Sequence, residues 1–150
     1  MGRQSFGTPL QSQPSAEPSR GPIGALIHLL PLRADLAKLD LIQSLDAWRG
    51  QVRIAIRSLY LLIRGAQSDL EEAGVGRGAL IAAATARGGS FGIDGIPDVS
   101  PLQHMAADYV KTAAQELTGI ACRVVDLDPT DPPAVLQERL LTEVTAAADG

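Results

Sequence analysis

Aromatic side chains are scarce in this chain, at 3% of residues, so any core must be assembled from small aliphatics, chiefly Ala and Leu. Cysteine is scarcer still. Cys122 stands alone, which excludes an internal disulfide and fits a cytoplasmic protein. An excess of positive charge is also missing: the formal net charge is −4, whereas binding that relies on neutralising phosphates needs clustered Lys and Arg, so nucleic acid is excluded as a partner. Long apolar runs are absent too. The longest, residues 23–32 and 59–63, fall short of the roughly 20 residues that cross a bilayer, and the N-terminus lacks the basic and apolar pattern of a signal segment. No membrane partner is expected.

What is there amounts to one ordinary domain in 150 residues. Residues 1–21 carry Pro9, Pro14 and Pro18 in a Ser, Gln and Gly background without helical or strand periodicity, so they read as a disordered lead or linker. Residues 22–150 hold the folded part. PIGALIHLLPL, between Pro22 and Pro31, is a short continuous apolar run of the kind found in strands buried on both faces. Residues 34–49 have partial helical spacing through Leu36, Leu39, Ile42 and Leu45, with Gly50 expected to interrupt. From residue 51 to about 73, Val52, Ile56, Leu59, Ile63, Ala66 and Leu70 recur at helical steps, and Gly74 is expected to close that helix.

ALIAAAT, residues 79–85, forms a second apolar strand, followed by a Gly-, Asp- and Pro-rich loop over 87–101. Leu102, Ala106, Tyr109, Ala113 and Leu117 mark another helix, ended by Thr118 and Gly119. IACRVVDLD supplies a third strand, with Asp126 and Asp128 marking its exit into water. A last helix, capped by Thr130 or Asp131 and started by Pro132 or Pro133, buries Leu136, Leu140, Val144 and Ala147. Alternation of this kind predicts an α/β fold: a truncated Rossmann-like, three-layer unit of the short-chain dehydrogenase type with about three parallel strands.

The phrases ALIHLLPL, RSLYLLIRGAQSDL, LIAAATARGGSFG, DYVKTAAQELTGIACRVVDLDP and PPAVLQERLLTEV, in that order, resemble the ketoreductase region of type I polyketide synthases, especially the iterative and polyunsaturated-fatty-acid-like ones. The resemblance covers about residues 22–144, and GGSFG, VKTAAQE and VDLDP are its most distinctive parts. In that family a degenerate structural half precedes a catalytic half that binds NADPH, and this chain is similar to the structural half. The resemblance therefore implies no catalytic, cofactor-binding or metal residues here, with NADPH held by a separate catalytic half that reduces β-ketoacyl thioesters. That half, other synthase domains and the acyl carrier protein are the implied partners. Laid over catalytic short-chain dehydrogenases, Val99 and Gln103 stand where the active Tyr and Lys would be, and valine has no proton to give.

Individual residues add little chemistry. Tyr109 and Lys111 lie two apart on a helix and point in different directions, and Thr85 lacks the partners that would make its hydroxyl catalytic. GVGRG and GGSFGIDG open no helix and read as turns rather than phosphate cradles. His28, His104 and Cys122 are too dispersed for a metal site, and Cys122 reads as a small hydrophobe. Arg49, Arg53, Arg57 and Arg64 recur at steps of four, four and seven, a basic ridge either solvated beside Asp40, Asp46 and Asp69 or offered to an acidic partner such as the carrier protein. The leading strand lacks an upstream neighbour, so its edge is expected to show unpaired backbone groups. Two functions follow: a non-catalytic support for a reductase, or a stand-alone degenerate binding module that holds a partner protein. An active reductase would need residues this sequence lacks.

Overall fold

The computed structural model describes residues 21–33, 44–76, 78–94 and 100–148. In chain order these form strand β1 (Ala25–His28), a 3-10 turn (Leu30–Leu32), helix α1 (Leu45–Val52), a π-helical turn (Arg53–Arg57), helix α2 (Ser58–Gly76), strand β2 (Leu80–Thr85), helix α3 (Pro101–Glu116), strand β3 (Ala121–Asp126) and helix α4 (Pro133–Ala148). Residues 1–20 of the expected lead over 1–21 lie outside the described residues, as do residues 34–43 of the first expected helix.

The strands pair in the order β1-β2-β3, and both pairs are parallel. Because side chains alternate along a strand, each face meets its own helices. On one face Leu26, Ile81 and Ala83 meet Leu59, Ile63, Ala66 and Leu70 of α2 and Val110 of α3. On the other, Leu80, Ala82, Ala84 and Val125 meet Leu136, Leu140 and Val144 of α4. The chain is thus a three-layer α/β unit of truncated Rossmann type. Every residue of β2 is buried, and its three alanines let both helical layers approach closely, which is how a core poor in aromatics fills its space.

The first strand departs from its expectation. Only four residues pair, and they alternate between exposed and buried instead of being covered on both sides; Leu30–Leu32 turns away as a 3-10 segment with Pro31 in its first turn. The cause is coverage. Helix α4 packs over β2 and β3, so Ile27, on the same face of β1, is left 44% exposed. Leu80 donates its N–H to the Gly24 carbonyl at 2.9 Å, which directs the backbone of Leu26 and His28 toward β2 and that of Ala25 and Ile27 outward. No strand among the described residues meets them.

Gly50 does not interrupt, and Gly74 does not close. Helix α1 starts at Leu45, where the Ser44 side chain accepts from the Ala47 N–H, and continues through the π turn into α2, one rod over residues 45–76. The wide turn shifts the buried stripe: Ala55 is buried where Val52 and Ile56 were expected, and both of these are only half-buried. At the junction Ser58 Oγ donates to the Ile54 carbonyl, a side-chain bond that commonly accompanies such local distortions. Gly74 lies inside α2 because of packing: a Cβ there would stand 2.6 Å from the Gly119 carbonyl oxygen.

Candidate functional site: the carboxyl end of the sheet

Open α/β sheets hold ligands outside the carboxyl ends of their strands. In this chain that end is organised by Asp126, the last residue of β3, which is 9% exposed and so does not mark an exit into water. It shares the face of Cys122 and Val124, and the register sets it beside Thr85. Its Oδ1 accepts from Thr85 Oγ at 2.6 Å and from the Arg87 N–H at 2.8 Å; its Oδ2 accepts from the Phe91 N–H at 2.9 Å. The carboxylate therefore ties the loop after β2 to β3.

That loop is shaped for closure. Gly88, Gly89, Phe91 and Gly92 all have positive φ, and Arg87 reaches forward to donate to the Phe91 carbonyl. Four of its amides are spent inside the protein: Gly88 N–H goes to the Leu127 carbonyl at 3.2 Å and Ile93 N–H to that of Ser90 at 3.1 Å, besides those of Arg87 and Phe91 held by Asp126. A phosphate cradle needs such groups free and convergent. Gly95 and Val99 lie outside the described residues. In the other glycine phrase, Gly74 and Gly76 belong to α2 and Gly78 takes a φ of 82°.

Gln103, aligned with the active lysine of the resembled enzymes, is fully buried. Its Oε1 accepts from the Ala86 N–H at 2.9 Å and its Nε2 donates to the Pro31 carbonyl at 2.5 Å, joining α3 to the chain after β1 and after β2. Thr85 is equally occupied as a donor to Asp126. Tyr109 packs edge-on against Tyr60, with ring centroids 6.4 Å apart, and burial, with Tyr60 and Glu116 adding to it, pushes its phenol above the ordinary range. Lys111 turns away to Asp108 at 3.8 Å. The acid pair that Tyr109 and Lys111 resemble on paper is not assembled.

His28 is buried and its Nε2 lies 3.0 Å from Ser58 Oγ. Since Ser58 gives its proton to Ile54, the imidazole donates from Nε2, and Nδ1 has no partner among the described residues. Burial lowers its pKa. Cys122 is half-buried against the core, and burial pushes its thiol up. No three His, Cys, Asp or Glu side chains gather as a metal site among the described residues. A trough of about 800 Å³ runs along the outer edge of β3 between Phe91, Arg123 and α4. Among its lining residues Arg123 pairs with Glu143 at 3.9 Å, and Arg139 pairs with Asp131 at 3.0 Å.

The basic ridge divides. Arg49, Arg53 and Arg57 share a shallow groove with Trp48 and Val52, whereas Arg64 sits in a separate hollow beside Tyr60 and Tyr109 and donates to Gln67 at 3.2 Å. The roles of Asp126 and Ser58 escaped the sequence reading; the one available signal was parity, because Asp126 keeps the inward phase of Cys122 and Val124. No helix among the described residues is long and apolar enough to cross a membrane. Comparison with known proteins finds no matching family model, no matching curated protein and no matching solved structure.

Proposed function

We propose that the chain is a non-catalytic structural unit of a two-part β-ketoacyl reductase, the structural subdomain of a polyketide-synthase-like ketoreductase, acting in the cytoplasm. A separate catalytic half would bind NADPH, pass its hydride to the β-carbonyl carbon and protonate the oxygen. The observation that carries this reading is the occupied carboxyl end of the sheet: Asp126, Thr85, Gln103 and the amides of Arg87, Gly88 and Phe91 all bond to one another or to the backbone. Rigid polar closure of that kind holds geometry and leaves little to offer a cofactor. The sequence phrases from ALIHLLPL to PPAVLQERLLTEV add the resemblance.

The test is complementation. A catalytic ketoreductase half, assayed for NADPH consumption with a β-ketothioester, should gain activity when this chain is added in equimolar amount, and the chain alone should consume none. Equal activity with and without the chain would defeat the reading. A second reading, a stand-alone module that holds a partner protein, is favoured by the groove of Arg49, Arg53 and Arg57 beside Trp48, the surface on which an acidic carrier protein would dock. Under that reading the chain captures a carrier protein in low salt without affecting reduction.

A further inference from the structure

The 45–76 rod carries an outward stripe that its own fold does not use. Arg53, Arg57, Leu61, Gly65, Ser68 and Glu72 follow at steps of four, four, four, three and four, and all are exposed, Leu61 to 53%. The inward stripe of Leu59, Ile63, Ala66 and Leu70 lies against the sheet. The wide turn at Arg53–Arg57 brings its two arginines nearer to one line than an ordinary turn would. The stripe is therefore basic at one end, apolar and small in the middle, and acidic at the other. Arg53, Arg57 and Glu72 have no ion-pair partner among the described residues.

Helix stability does not account for this order. A helix favours acidic groups near its N-terminal end and basic groups near its C-terminal end, yet Glu71 and Glu72 stand about one turn from the end of α2 and no basic residue occupies its last turn. Nor does solubility require Leu61 and Leu62 side by side at the surface. A second rod laid antiparallel resolves both features. Turning the stripe about a twofold axis midway between Leu61 and Gly65 sets Arg53 against Glu72 of the second copy, Arg57 against Ser68 of the second copy, and Leu61 over Gly65 of the second copy, whose Cβ-less surface has nothing within 4 Å in its own chain. Each contact recurs by symmetry, as an isologous interface demands, along about 28 Å of helix.

We propose that the outer face of this rod is a homodimer interface, in which two copies of the chain pair through antiparallel residues 53–72 with reciprocal Arg53–Glu72 contacts on either side of a centre where each Leu61 packs over the other copy's Gly65. It stands independently of the reductase reading, because it uses neither the carboxyl end of the sheet nor any catalytic half.

Sedimentation velocity of the full chain in low salt tests it. The wild type should sediment as a dimer that loosens as salt is raised. Arg53→Glu with Arg57→Glu should raise the dimer dissociation constant by about tenfold or more, and Leu61→Asp should do likewise, with far-UV circular dichroism unchanged because these positions are exposed. Combining Arg53→Glu with Glu72→Arg restores opposite charges across the axis and should recover the dimer relative to Arg53→Glu alone. A monomeric wild type would overturn the proposal. So would a dimer indifferent to both the arginine and the Leu61 substitutions, which would place the interface at another surface such as the β1 edge, or a charge swap that fails to rescue.

Discussion

Asp126 accepts three hydrogen bonds at the point where β3 meets the glycine-rich loop, so its removal leaves a hydroxyl and two amides without their acceptor in a poorly hydrated place. Asp126→Asn, which substitutes a donor for one acceptor oxygen, should cost roughly 2–3 kcal/mol of stability in urea denaturation, while Thr85→Val, which removes a single donor, should cost about 1 kcal/mol. Equal losses would mean that the carboxylate does not anchor the loop. His28 sets a pH dependence. Its folded-state pKa is depressed by burial, so above 6.5 both folded and unfolded chains hold it neutral and its contribution is flat; below that, the unfolded chain takes up a proton that the folded chain resists, and stability falls with pH. The urea midpoint of the wild type should drop between about pH 7.5 and about pH 5 by more than that of His28→Gln, a neutral donor to Ser58. Parallel pH profiles would remove His28 from the account.

Helices and strands differ in how much of them could be read beforehand. The inward stripe of α2, the short apolar run of β2 and the helix marked by Leu102, Ala106, Tyr109 and Ala113 follow from periodicity, since each is a local pattern with one solution, whereas Pro101, read as the end of a loop, is the first residue of that helix and Ser100 its cap. The continuity of the rod through Gly50 was not legible, because a glycine in a helix costs little when packing and an upstream Ser44 cap hold both sides. The alternating exposure of β1 was not legible either: ALIH is apolar at every position but His28, and only the placement of α4 decides which face stays open. Asp126 looked like a strand end in water because sequence shows a carboxylate's charge but not the amides that come to meet it. Two glycines separate these effects. Gly50→Ala, with nothing within 4 Å of its added Cβ, should stabilise by about 0.5–1 kcal/mol, whereas Gly74→Ala, aimed at the Gly119 carbonyl, should destabilise by about 1–3 kcal/mol. Thermal denaturation of the pair checks the opposite signs.

For the molecule as a whole, three parallel strands with α2 and α3 on one face and α4 on the other leave both outer edges of the sheet open among the described residues. The open edge of β1 bears no charged side chain to discourage a partner strand, and hydrogen exchange should show it: rapid exchange at Ala25 and Ile27 beside protection at Leu26 and His28, unless another chain covers the edge. What unites the fold with the proposed role is a carboxyl end closed upon itself, built to hold shape. The most direct measurement of that claim is a titration of the purified chain with NADPH, followed by nicotinamide fluorescence and by the amide signals of Arg87, Gly88 and Phe91. The account predicts no saturable change in either. Saturable binding with shifts centred on those three amides would show that the loop opens to receive a dinucleotide, and would contradict it.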